Sequence, residues 1–176
     1  MKLKRILISV AALTLFQLPG VLPAQDTGPI IAEGIINAPV DTVWASWTTS
    51  AGLSSWLAPH AEIDLQIGGL MRTNYNPQGT LGDPGTIENT ILSYEPKRML
   101  SIKVSRFPET FPFPNAVSEM WTVLYFEPSD SLQTHLRVVG LGFQSTEESQ
   151  KMRAFFERGN ILTVQQLQRR FPAASR

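Results

Sequence analysis

The chain contains no cysteine. That absence excludes disulfides, a thiol nucleophile and every cysteine-ligated metal centre, so stability has to come from the core alone. Histidine is almost as scarce. His60 and His135 are the only imidazoles, far apart and in neither an HxxxH nor an HxH spacing, which leaves no visible metal site. Neither sign of charge is in excess, with 15 Lys+Arg against 15 Asp+Glu in 176 residues, so the electrostatic footprint of a nucleic-acid binder is missing. No repeat, low-complexity tract or linker divides the chain. A composition of 43% hydrophobic and 17% charged residues suits one domain with a full core.

Residues 1–24 stand apart. Lys2, Lys4 and Arg5 form a short basic region, Ile6 to Leu18 an apolar run, and Pro19-Gly20 breaks it before Leu22-Pro23-Ala24. This is the build of a secretory signal peptide; the alternative, a membrane anchor, needs a longer apolar run. No cysteine follows that would take a lipid. Its removal takes three basic residues from 15 and leaves 12 against 15 acidic ones, a mature charge near −3. The expected address is secreted, in the periplasm, with no stable membrane insertion once the leader is gone.

The segment 146–171 organises the remainder. Met152, Phe156, Asn160, Val164, Leu167 and Phe171 recur every three or four residues, which places them on one face of a long helix. Glu147, Glu148, Lys151, Arg153, Glu157, Arg158, Arg169 and Arg170 occupy the rest. A helix with a single apolar stripe has to lie on something, and the chain before it reads mainly as strands. Ile30–Ile36 is β-branched. Val40, Val43, Trp44 and Trp47 follow a helical spacing after Pro39, Thr48-Thr49-Ser50 breaks it, and Leu53–Leu57 reads as a second short helix. Alternation at 61–67, Gly68-Gly69 and Leu70–Tyr75 read as a hairpin. Thr86–Tyr94, Met99–Arg106, Val117–Glu127 and Leu132–Val139 are further strands. Residues 107–115, FPETFPFPN, carry too much proline for a central strand and read as an apolar loop. The expected fold class is α+β: strand, two helices, six strands, long helix, with about seven antiparallel strands curved around the last helix.

The run APVDTVWASWTTSAGLSSWLAP (38–59), with AEIDLQIGGLMR (61–72), Gly85-Thr86-Ile87, Tyr94-Glu95-Pro96 and FERGNILTVQQL (156–167), resembles the START-like, helix-grip superfamily, also called SRPBCC. Within it the resemblance is nearest to the branch named after the activator of Hsp90 ATPase (AHSA1-like). It covers roughly residues 30–171, leaving 25–29 as a polar lead-in and 172–176 as a tail. The resemblance implies a pocket between sheet and helix. Relatives include lipid carriers, receptors, cyclases and chaperone activators, so it does not specify an activity.

Trp56, Met71, Tyr94, Phe111, Phe113, Phe156, Asn160, Val164 and Leu167 are the candidate ligand-binding residues. Asn160 stands out, because an amide on a burying helix face needs a partner or a ligand. Trp44 and Trp47 read as core. The sides on which Arg72, Tyr75, Glu88, Asn89 and Glu119 lie stay open, as does the orientation of 121–126, WTVLYF, which is apolar on both faces. No catalytic group, cofactor or metal is assigned. The expected partner is a small hydrophobic molecule, held by a carrier or sensor. The alternatives are a cyclase, hydratase or hydrolase using Glu88, Glu119 or Tyr94, and a protein-binding, chaperone-activating role that export would take away from a cytosolic chaperone.

Overall fold

The computed structural model describes residues 26–173. The leader read at 1–24, Gln25 and the tail residues 174–176 lie outside the described residues. In order the elements are β1 (Ile30–Ile36), α1 (Val40–Thr48), α2 (Ser50–Ser54), β2 (His60–Ile63), β3 (Leu70–Asn74), β4 (Ile87–Glu95), β5 (Met99–Arg106), β6 (Trp121–Pro128), β7 (Thr134–Leu141) and α3 (Glu147–Arg170). The seven strands form one antiparallel sheet in the order β1-β7-β6-β5-β4-β3-β2. A meander whose β3–β4 and β5–β6 connections are long loops is closed by β1 pairing with β7, and α3 lies across the hollow side. This is the α+β, helix-grip arrangement that the patterning implies.

Several boundaries differ from the expectation, each for a local reason. Thr49 adopts an extended backbone and its hydroxyl accepts the Gly52 N–H at 2.9 Å, so α2 starts at once and ends at Ser54 rather than spanning 53–57. Trp56 leaves the helix and its indole N–H donates to the Ser46 carbonyl at 3.0 Å. The strand expected at 61–67 stops at Ile63, because residues 64–69 fold into a tight turn with Gly68 at φ +80°. The strand expected from 117 begins at Trp121. Val117–Glu119 is instead a 3-10 turn that sends Val117 and Met120 into the interior. Strand β6 then resolves its two apolar faces: Leu124 and Phe126 join the main core, while Trp121 and Tyr125 face the other way.

Helix α3 begins where Thr146 caps it, its hydroxyl accepting the Ser149 N–H at 3.3 Å. Its apolar stripe is held at two separate places. Met152, toward the start, is fully buried with Ile30, Val117, Met120 and Phe143. Val164 and Leu167, toward the end, are buried in the main core with Trp44, Leu53, Leu100, Phe126 and Leu136. Each such side chain contributes roughly 1.5–3 kcal/mol by leaving water. Gln166 donates to the Trp56 carbonyl, and Gln168 to the Ile35 carbonyl at 3.2 Å, fixing the same end.

Close approach at that end depends on Gly34 of β1. A Cβ there would stand 3.0 Å from Val164 Cγ1 and 2.6 Å from Gln168 Nε2. Gln168 can swing aside; Val164, packed on all sides, cannot. Gly34→Val is therefore expected to destabilise the protein by about 1–3 kcal/mol in urea unfolding. Val164→Ala in the same chain should recover part of that loss.

Candidate functional site

Between its two anchorages α3 passes over a gap. The helix carries Gly159, Asn160 and Thr163 there, and none of them fills the space: a Cβ built on Gly159 meets nothing within 4 Å. The result is a cavity of about 360 Å³. Its floor is the hollow face of the sheet, with Met71 and Thr73 from β3, Ile87 and Asn89 from β4, Ile102 and Val104 from β5, Thr122 and Leu124 from β6, and Val138 from β7. One wall is Trp47 and Leu57; the other is Phe155, Phe156 and the helix. Phe107 and Phe111 close the mouth, with Tyr75 half-exposed beside them. Such a mostly apolar, preformed hollow is the usual build of a small-molecule site. A larger surface depression of about 580 Å³ lies outside the sheet at the β4–β5 turn, walled by Glu95, Lys97, Arg98 and Glu127. Val40, Pro96, Met99, Tyr125, Phe126 and Pro128 complete its lining, but it lies open at the surface beside four charged side chains.

The mouth is a ring of stacked aromatics. Phe111 lies 5.2 Å from Phe107 and 5.7 Å from Phe113, centroid to centroid, and Phe113 lies 5.7 Å from Phe155. Phe155 meets Phe156 edge-to-face at 5.4 Å. Edge-to-face pairs are each worth about 0.5–1.5 kcal/mol beyond burial. The loop that carries Phe107–Phe113 is tied to the start of α3 by Glu148. Its carboxylate accepts the Asn115 N–H at 2.9 Å, the Ala116 N–H at 3.2 Å and the Asn115 side-chain amide at 3.2 Å.

Polar groups on the cavity wall are few and uncharged. Thr73 and Asn89 are buried. Burial pushes the Tyr75 phenol up from its ordinary value, more than the Thr73 hydroxyl lowers it, so it stays protonated well past neutral pH. Two lining residues, Trp47 and Asn160, each keep a side-chain nitrogen (Nε1 and Nδ2) that has no hydrogen-bond partner and is closed off from the cavity as well as from solvent. A buried donor left unmade costs about 1–3 kcal/mol.

Of the residues expected to contact a ligand, Met71, Phe111, Phe156 and Asn160 line this cavity. Phe113 stacks on Phe111 and Phe155 one layer out. Val164 and Leu167 share the helix face of Asn160 but sit where that face is packed solid. Tyr94 packs on the same main core, at the far end of β4 from Asn89. Trp56 and Trp47 exchange roles. Trp56 is buried against Trp47 with its N–H satisfied, while Trp47, read as core alone, also presents a face to the cavity. Tyr75 and Asn89, whose sides alternation left open, both face inward. Thr73, two residues after the candidate Met71, follows from the alternation of its strand; Thr122 does not, because 121–126 is apolar on both faces.

The carboxylates considered for catalysis lie elsewhere. Glu88 is on the outer face, 3.5 Å from Arg72 and 3.4 Å from Arg106. Glu119 is exposed on the 3-10 turn. His60 reaches the Pro77 carbonyl at 3.2 Å, and His135 lies on the outer face between Glu33 and Glu127. Among the described residues no group of three or more His, Asp or Glu could hold a metal ion, and no helix is long and apolar enough to cross a membrane.

A single sheet gripping a terminal helix over a hollow of this kind defines a protein of the START-like, SRPBCC type. Within that class the chain belongs to the family described as Activator of Hsp90 ATPase homolog 1-like protein, whose model matches residues 37–171. Solved structures share the fold at low identity. A Mesorhizobium loti protein is 18% identical, with TM-score 0.59, covering 82% of this chain and 99% of that one. The Aha1 dimer of Colwellia psychrerythraea is 14% identical, with TM-score 0.55, covering 78% and 92%. A Staphylococcus saprophyticus protein is 12% identical, with TM-score 0.60, covering 80% and 89%. No curated protein matches the sequence.

Glu148 makes the mouth sensitive to acid. Burial raises its pKa, but the three hydrogen bonds outweigh that and hold it below its ordinary 4.5. A depressed folded value means that the contact stabilises the fold above pH 4.5 and is lost as pH falls through the lower, folded value. The Asn115 amide resonance should therefore titrate with a midpoint below 4.5, and Glu148→Gln should abolish that titration.

Proposed function

We propose that this protein is exported and encloses a small hydrophobic molecule between its sheet and α3, as a carrier or sensor. The observation that carries the reading is the hollow itself: an apolar space of about 360 Å³ under a helix whose spanning residues are too small to fill it. Binding would draw on burial, roughly 25 cal/mol per Å² of apolar surface. Export is supported by the basic and apolar pattern of residues 1–24. The same leader argues against a cytosolic chaperone as the partner, although relatives of this family carry that description. An enzyme working through a pocket carboxylate has little support, because Glu88 and Glu119 both lie outside the cavity.

Native mass spectrometry of the protein taken from its own host's periplasm tests both halves together. The expected species is residues 25–176 carrying a non-covalent guest, and Gly159→Phe, which puts a ring into the open span, should lose the guest while remaining folded. An unprocessed chain in the cytosol would overturn the export reading. A guest retained equally by Gly159→Phe would overturn the assignment of this cavity.

A further inference from the structure

We infer that Asn89 is the polar contact of this cavity, and that the guest is an uncharged molecule whose apolar body carries a hydroxyl or carboxamide group, able both to donate to and to accept from the Asn89 side-chain amide. The inference rests on the cavity reading above and specifies the ligand class that it takes.

The sheet decides which way Asn89 points. Glu88, one residue earlier on β4, lies on the outer face with Arg72 and Arg106, so alternation puts Asn89 on the hollow face. Its cross-strand neighbours are Met71 on β3 and Val104 on β5, and both line the cavity. The β4–β5 register shifts between Glu88 and Asn89, an irregularity of the kind found beside functional sites. Asn89 is 8% exposed and itself lines the cavity, so the little surface it keeps is turned to the hollow.

Its amide finds no partner within the protein. Asn74, likewise buried, supplies the comparison: it donates to the Thr80 carbonyl at 2.8 Å and accepts the Asn76 N–H at 3.0 Å. Asn89 makes neither kind of contact among the described residues. Nor does its amide belong with the partnerless groups that are shut off from all access, which are those of Trp47, Arg72, Arg153 and Asn160. The Asn89 amide is therefore both unpaired and reachable. A threonine hydroxyl on the same wall can rotate toward whatever acceptor is near, whereas a planar amide presents a donor and an acceptor in fixed directions. A guest group that accepts and donates at once, a hydroxyl or a carboxamide, satisfies it.

Charge is excluded by the remainder of the wall. No Arg, Lys or His lines the cavity, so a carboxylate or phosphate would be buried without a counter-ion. No Asp or Glu lines it either, so an ammonium group would be stranded in the same way. A neutral hydroxyl or carboxamide on an apolar frame satisfies every one of these conditions.

Equilibrium dialysis at neutral pH with naphthol, methylnaphthalene and the naphthoate anion, all substituted at the same ring position, separates the possibilities. Transfer out of water favours the hydrocarbon whatever the site holds, so the readout is the ratio of naphthol to methylnaphthalene affinity, compared between the wild type and Asn89→Leu. That ratio should fall at least about fivefold in the variant, as the loss of one hydrogen bond implies. Methylnaphthalene should bind the variant no more weakly, which also reports that it is folded, and the anion should bind the wild type most weakly. In the wild type the Asn89 side-chain amide resonances should move further with naphthol than with methylnaphthalene, a test of the contact that needs no variant. An unchanged ratio in a variant that still binds methylnaphthalene, or an Asn89 amide that naphthol leaves unmoved, would overturn the assignment of Asn89 and leave the apolar cavity standing. Tightest binding of the anion would overturn the exclusion of charge. Binding of none of the three would overturn the inference together with the reading beneath it.

Discussion

The structure depends on one helix being fastened at both ends and unsupported in the middle. Met152 anchors the start of α3 in one apolar cluster, and Val164 with Leu167 anchors the end in another. Between them a sheet that twists as antiparallel sheets do falls away from a straight rod. Whether the gap closes is decided by what the rod carries across it. Leucines at 159, 160 and 163 would make a continuous core; glycine, asparagine and threonine leave a space. Gly159 in a helix interior costs about 1 kcal/mol relative to alanine, and no close neighbour demands it, so its presence at the cavity is the clearest sign that this stretch is not optimised for packing alone.

The remaining parts of the domain hold that geometry. Gly34 lets the late part of α3 descend onto β1, while the 3-10 turn at Val117–Glu119 supplies the bulk that props its early part. Outside the sheet, Glu62, Arg72, Glu88 and Arg106 form a chain of partly exposed ion pairs. Pairs of that kind are worth about 0–1 kcal/mol each, too little to position anything. Segregating charge on the convex face nevertheless leaves the concave one free of ionised groups. That separation gives the cavity its neutral wall.

The helix face, the succession of elements along the chain and the aromatic loop are all legible in the sequence, because each rests on a period or on proline; the pairing of β1 with β7 is not. What periodicity cannot supply is position along an axis. It places Asn160, Val164 and Leu167 on one stripe without telling where the sheet is close and where it is distant, so two core residues were expected to line a cavity. Tyr94 fails for the same reason, and a bulge between Ile91 and Ser93 shifts the phase of its strand as well. Trp47 and Trp56 exchange roles because the chain leaves the helix after Ser54, short of the expected 53–57 span, and turns the Trp56 indole inward. Here the loop tryptophan turns back to cap a helix carbonyl, and its helical neighbour is left facing the hollow. Glu119 lies on a 3-10 turn rather than on a strand, so the alternation of β6 does not reach it.

Xenon is the most direct probe of the central claim, since it occupies dry apolar space without needing a specific ligand. A crystal of the mature protein under xenon pressure should show an ordered atom between Ile102, Leu124 and Phe156, beneath Gly159. If those side chains were instead in mutual contact with no site between them, the helix would rest on the sheet along its whole length, and the account of a bridged hollow would be contradicted.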